Sequence, residues 1–177
     1  MRIALTVAGS DSGGGAGIQA DLKTFHQFGV FGTSVIAAVT AQNTLGVVAW
    51  ESVSRDLVSR QLDALIADLP PDGIKSGMLG SSAVVETVAE ALQRVNTKPY
   101  VLDPVLVATS GHALGDDATA DAIRRHLVPL ATLVTPNLAE AERLTGMEVK
   151  TPDQMEQAGR ALLKNGAAAA LVKGGHL

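Results

Sequence analysis

"GSDSGGGAGIQADL", residues 9–22, holds five glycines within nine positions and passes at once into helix formers. Backbone this rich in glycine approaches a ligand or other backbone closely, because glycine alone lacks a Cβ and accepts φ > 0 freely. The residues before it, Arg2–Ala8, read as a buried apolar strand. Those after it, Ala16–Phe28, read as a helix with Ile18, Leu22, Phe25 and Phe28 on one face and Gly29 as its stop. Strand, glycine turn and helix together form the opening unit of a parallel α/β sheet.

The ligand of such a turn is often a phosphate, but two phosphate motifs fail here. A Walker loop needs a Lys directly after its last glycine, and none follows until Lys23, inside the helix. Gly15-Ala16-Gly17-Ile18-Gln19-Ala20 matches the dinucleotide pattern G-x-G-x-x-A. The acidic residue that should hold a ribose about 20 positions on is missing, and the next carboxylate is Glu51. A plain strand-to-helix turn accounts for one or two glycines, but not for Gly13, Gly14, Gly15 and Gly17 beside Asp11 and Asp21. Asp21 decides the reading. A carboxylate one turn into the helix is stabilised by the helix dipole, opposes phosphate and suits an amine or hydroxyl donor. The loop is therefore expected to touch a neutral polar substrate.

Outward from this unit, apolar runs and helical patterns alternate to the end of the chain. Strands are expected at Thr33–Thr40, Ile74–Met78, Tyr100–Asp103, Leu133–Thr135 and Ala167–Lys173, with Val47–Val53 in a side hairpin. Helices are expected at Arg55–Leu69, Ser82–Val95, Ala118–Leu127, Leu138–Leu144 and Pro152–Asn165, with a loop through Gly111 and Gly115. The expected fold is α/β, a mainly parallel central sheet with helices on both faces, in one domain over residues 1–177.

Composition narrows the function. Fourteen Lys and Arg against 18 Asp and Glu give a net charge of −4, with no basic block to serve as a nucleic-acid footprint. The absence of cysteine excludes disulfides, thiolate metal sites and a Cys nucleophile within the chain. No run reaches the roughly 18 apolar residues of a membrane span. The start reads as a strand and not as a secretion signal, so a cytoplasmic protein is expected.

Further polar residues fall at the expected carboxyl ends of strands, where doubly wound sheets bind ligands. Gln42 offers a planar acceptor and donors matched to the edge of an aminopyrimidine, or serves a turn. Met78, between Gly77 and Gly80, fills core or covers a flat ring. Asp103, fixed before Pro104, suits Mg²⁺ or its waters, or a turn. Asn137 and Glu140 open a helix as a capping pair, and beside Asp103 they complete a site for a magnesium–phosphate complex. Lys173, with Gly174 and Gly175, offers a cation and open amides near phosphate oxygens. No histidine among His26, His112, His126 and His176 reads as a catalyst.

In order, "AGSDSGGGAGIQADLKTF", "VTAQNTLGV", "KSGMLGS", "VLDPVLVATSG", "TPNLAEAERL" and "VKGGHL" run over essentially the whole chain. With these stretches the chain resembles the ribokinase-like kinases, most closely the hydroxymethylpyrimidine/phosphomethylpyrimidine kinases of thiamine biosynthesis. The resemblance implies ATP-dependent phosphorylation of 4-amino-5-hydroxymethyl-2-methylpyrimidine and of its monophosphate, with Mg²⁺, by a protein that is commonly a homodimer. It implies that Gly9, Asp21, Gln42, Met78 and Val105 line the pyrimidine pocket. Asp103 and Glu140 would organise magnesium, with Asn137 and Lys173 toward the nucleotide phosphates. The family's anion hole, catalytic base and nucleotide-base pocket belong to a later Gly-Thr-Gly-Cys or Gly-Thr-Gly-Asp region. They are expected beyond Leu177, so the chain is expected to be a C-terminally truncated kinase domain with little activity alone. Three other readings remain: a pyridoxal kinase, a non-catalytic module that senses the pyrimidine, and an NAD-dependent dehydrogenase. A sensing module would have no use for Asp103, Glu140 and Lys173.

Overall fold

The structure, a computed structural model, describes residues 1–95, 99–107 and 113–174. The expected loop residues Gly111 and His112, and Gly175 and His176 at the other end, lie outside the described residues.

The first strand, β1 (Ile3–Asp11), runs three residues further than its apolar stretch and carries the chain into the glycine turn. Helix α1 (Gly17–Gln27) returns to β2 (Phe31–Asn43), which lies parallel to β1. Gly29 ends α1 at φ 68°, a left-handed conformation that glycine adopts without steric cost. The expectation that Phe28 faces the core is corrected. Phe28 is the C-cap residue, outside the helical repeat, and is 79% exposed, whereas Ile18 is buried. β3 (Gly46–Ser52) pairs antiparallel with β2, forming the expected side hairpin.

α2 (Arg55–Asp68), β4 (Gly73–Ser76), α3 (Ser82–Val95) and β5 (Tyr100–Leu102) then build the other half of the sheet. Ser54 caps α2 with a hydrogen bond from Leu57 N–H. Asp116 caps α4 (Asp117–Ala122) by accepting from both the N–H and the hydroxyl of Thr119. Where one helix over 118–127 is expected, α4 gives way to a π-helical turn at Ile123–Leu127. A 3-10 turn, Val128–Leu130, follows with Pro129 at its start. β6 (Leu133–Val134), α5 (Leu138–Thr145) and α6 (Pro152–Lys164) complete the described elements. The strand expected at 167–173 is reduced to two parallel bridges, Val134 with Ala170 and Asn137 with Lys173. Its backbone bonds are spread along Ala131, Val134 and Pro136, so it follows β6 without closing a regular ladder.

The six strands lie in the order β3-β2-β1-β4-β5-β6, all parallel except β3. Leu5, Val7, Val35, Leu102 and Val134, at 0–1% exposure, form the sheet's share of the core. Side chains of this kind contribute about 1.5–3 kcal/mol each when fully buried. Tyr100 is buried among them because its hydroxyl pairs with Ser76 Oγ at 2.7 Å, leaving no unsatisfied polar atom. Burial pushes the Tyr100 phenol far above its usual range. From β1 the chain moves first to one side, through β2, and later to the other, through β4. This makes the carboxyl ends of β1 and β4 a topological switch point, the usual place for a ligand crevice.

Candidate active site

The glycine turn is held from inside. Asp11, at the end of β1 and 5% exposed, accepts hydrogen bonds from Gly13 N–H (2.8 Å), Gly15 N–H (2.9 Å) and Ala16 N–H (2.8 Å). Its own carbonyl takes Gly14 N–H. The amides that a phosphate cradle would present are thereby committed to the protein's own carboxylate, which also sits favourably at the positive end of α1. Gly17 is required sterically as well as conformationally. Its φ is 56°, and a Cβ there would lie 2.2 Å from the Gly9 carbonyl oxygen. Asp11 stands in the quoted motif, but only the fold gives it this role.

A cavity of about 710 Å³ opens at the carboxyl ends of the strands, and all nine site residues expected from sequence line it. β1 supplies Gly9 beside a register shift against β2, a bulge that redirects the strand at the rim. A Cβ on Gly9 would stand 3.2 Å from Met78 Sδ, so glycine lets the Met78 side chain cross the strand end. Met78 is 7% exposed and belongs to a small apolar cluster with Ala38, Leu114, Trp50 and Val105. Met78 is core filler that also forms part of the cavity wall. Gln42, at the end of β2, takes Thr40 Oγ1 on its Oε1 at 3.1 Å, while its backbone exchanges hydrogen bonds with Ser12 Oγ.

Asp21 reaches the same cavity from α1, but it already has partners. Thr6 Oγ1 donates to its Oδ2 at 2.6 Å, and Lys75 Nζ stands 2.9 Å from Oδ2 and 3.1 Å from Oδ1. Lys75, on β4, lines the cavity and was not among the residues expected there. Its signal in sequence is slight: a lone cation in a short strand, two residues before Gly77.

At the other end of the cavity, β5, β6 and α5 bring a second group together. Asn137 and Glu140 form the expected capping box, with Asn137 Oδ1 accepting from Glu140 N–H and Glu140 Oε2 accepting from Asn137 N–H. Glu140 is 2% exposed, and burial raises its carboxyl above the usual range. The Asn137 N–H and the Lys173 cation oppose that rise, while the Asp103 carboxylate adds to it. Asp103 Oδ1 accepts from Thr135 Oγ1 at 3.1 Å and from Lys173 Nζ at 2.9 Å. Among the described residues no group of three or more His, Cys, Asp or Glu converges on one point. The pair Asp103 and Glu140 nevertheless fits Mg²⁺. This ion prefers hard oxygen donors and commonly takes one or two carboxylates, the rest of its shell being water and phosphate oxygens.

This architecture, a largely parallel sheet with its cavity at the strand ends, is that of the ribokinase-like α/β kinases. The family model described as phosphomethylpyrimidine kinase matches residues 11–177. The chain belongs to that family. It is 52% identical over 176 residues to the hydroxymethylpyrimidine/phosphomethylpyrimidine kinase of Rhizobium meliloti (strain 1021), covering 99% of this chain and 66% of that relative. The chain thus spans just under two thirds of the length of that relative. The crystal structure of phosphomethylpyrimidine kinase from Clostridium difficile 630 superposes with a TM-score of 0.92 at 44% identity, over 100% of this chain and 77% of that one. Pyridoxal kinase from Staphylococcus aureus in complex with pyridoxal superposes with a TM-score of 0.90 at 32% identity, over 99% and 65% of the two chains. No described helix is long and apolar enough to cross a membrane.

Proposed function

We propose that the protein carrying this chain transfers the γ-phosphoryl group of ATP to the hydroxymethyl group of 4-amino-5-hydroxymethyl-2-methylpyrimidine. A second transfer, to the resulting monophosphate, gives the diphosphate used in thiamine biosynthesis. In each step an acceptor oxygen forms a bond to phosphorus, the bond to ADP breaks and, in the first, the hydroxyl proton departs. The observation that carries this reading is that one cavity gathers five residues suited to a flat polar ring and four suited to a metal–phosphate complex.

Met78 and Val105 form an apolar wall for the pyrimidine face, and Gly9 leaves room for the Met78 side chain. Gln42 and Asp21 are the polar groups that read its edge and its hydroxymethyl group. Asp103 and Glu140 would hold Mg²⁺, with Glu140 acting through water because its Oε2 already accepts from Asn137 N–H. When bound, the ion neutralises charge on the phosphates. Lys173 adds a cation on the same side, and Asn137 lies beside it. These residues position and neutralise, which is most of what phosphoryl transfer asks of a protein. None of the described residues is assigned as the base.

Calorimetry on this chain tests the division of the cavity. Binding of the pyrimidine with weak or no binding of ATP is the expected result. Tight ATP binding without pyrimidine binding overturns it. The likeness to the staphylococcal pyridoxal kinase supports pyridoxal as a second acceptor, and competition by pyridoxal in a phosphorylation assay of the full-length protein separates the two. The reading extends to a cytoplasmic homodimer. Val39, Leu45 and Val48 of the β2–β3 hairpin, 51%, 89% and 75% exposed, support the dimer, and sedimentation of the protein tests it.

A further inference from the structure

Lys75 stands on β4 in register with Thr6 of β1, so the two side chains leave the same face of the sheet side by side. From that face they hold Asp21 of α1 through three contacts of 2.6 to 3.1 Å. Thr6 is fully buried, and the side chains of Lys75 and Asp21 are only 23% and 18% exposed. Gly77 makes room for the ammonium group, since a Cβ there would stand 3.1 Å from Lys75 Nζ and 3.2 Å from the Ala8 Cβ. Asp21, Lys75 and Gly77 all line the cavity.

A carboxylate this enclosed is costly unless it is paired and hydrogen-bonded, and here both conditions are met within the protein. The contacts are uneven. Oδ2 takes Thr6 and the shorter Lys75 contact, while Oδ1 takes only the longer one, so the remaining acceptor capacity lies on Oδ1. Resting on the reading of this end of the cavity as the pyrimidine pocket, we infer that Lys75 is a positioning and selectivity residue. It aims Asp21 Oδ1 at a donor on the ligand and cancels the carboxylate's charge, so that the pocket accepts an uncharged planar ligand and rejects a flat cation.

Calorimetry on this chain tests the inference with two probes, the neutral 4-amino-5-hydroxymethyl-2-methylpyrimidine and benzamidinium, a flat cation of similar size. Lys75→Met is expected to weaken pyrimidine binding by about tenfold or more, the size of a lost charge-assisted contact. It is expected to strengthen benzamidinium binding by about tenfold, because the half-buried carboxylate then lacks its counter-charge. The double variant Asp21→Asn/Lys75→Met should lose that gain. A loss of pyrimidine binding with no benzamidinium gain indicates a merely structural lysine and overturns the inference, as does a Lys75→Met variant unchanged toward both probes. If the unaltered chain binds no pyrimidine, the pocket reading fails. Charge cancellation by Lys75 is then supported by a benzamidinium gain that the double variant removes, and overturned without one. Should Lys75→Met not fold, Lys75→Arg keeps the charge with a different reach. It should bind pyrimidine more weakly and still reject benzamidinium, and tight benzamidinium binding by it overturns the inference.

Discussion

Lys173 Nζ lies 2.9 Å from Asp103 Oδ1, a contact between residues 70 apart that ties the segment after α6 to the end of β5. Thr135 shares the same carboxylate oxygen. Asp103 therefore meets the cavity already pointed and partly neutralised, beside the buried Glu140. The pair is too exposed to matter much for stability, with the Lys173 side chain at 45%. Lys173→Met should change the unfolding free energy by no more than about 1 kcal/mol, as measured by urea denaturation. In the full-length protein the same change should weaken an ATP analogue by about tenfold and leave pyrimidine affinity intact. Equal losses for both ligands would remove Lys173 from the nucleotide side.

Asp11 is the structural keystone of the glycine turn, so its removal should act far more strongly. Asp11→Ala leaves Gly13, Gly15 and Ala16 N–H without their acceptor. Hydrogen bonds to a charged group contribute about 1.5–3 kcal/mol each, offset in part where water replaces them, and a net loss of about 2–4 kcal/mol is expected. Amide exchange at these three positions should accelerate well before global unfolding, and pyrimidine binding should disappear. Unchanged exchange at Gly15 and Ala16 would show that the turn holds its shape without the carboxylate.

Much of this was legible in the residues. Apolar runs and glycine stops located most strands and helices, and strand-end polar residues located the cavity, because ligand sites in parallel sheets follow topology. What escaped was tertiary. Asp11 looks like any loop aspartate until the turn folds back upon it. Lys75 is a lone cation in a strand until register sets it beside Thr6 and under α1. Phe28 fits the helical stripe of Ile18, Leu22 and Phe25, but the helix ends before reaching it. Ala167–Lys173 has the composition of a strand, but it pairs only at isolated bridges, with Val134 of β6 and with Asn137 at the start of α5.

Two glycines separate conformational from steric need. Gly29 has φ 68° and nothing within 4 Å of where a Cβ would stand, whereas Gly17 has φ 56° and the Gly9 carbonyl oxygen 2.2 Å from that point. Gly29→Ala should cost about 1 kcal/mol, the left-handed penalty alone. Gly17→Ala carries about 1–3 kcal/mol of backbone strain plus a clash that only movement of β1 can relieve. It should be clearly the more destabilised of the two in parallel urea titrations, and similar midpoints would show that the glycine turn yields easily.

Glu140 sets a distinct pH dependence. Burial raises its carboxyl in the folded state above the unfolded value, so its favourable contribution is full below the unfolded value and is lost as pH rises through the folded one. Glu140→Gln retains a side-chain acceptor for Asn137 N–H but cannot titrate. The stability of the unaltered chain relative to this variant should therefore increase as pH falls toward the ordinary carboxylate range from above it, read from urea unfolding at each pH. Asp72, lowered by hydrogen bonds from Ile3 N–H and Arg2, contributes in the opposite sense, and so does Asp116, lowered by its bonds from Thr119. Their contributions are lost only as pH falls below the ordinary carboxylate range, so the two windows separate. Parallel stability curves for the chain and Glu140→Gln across that interval would mean that Glu140 titrates alike in both states, and its burial would then carry no electrostatic cost.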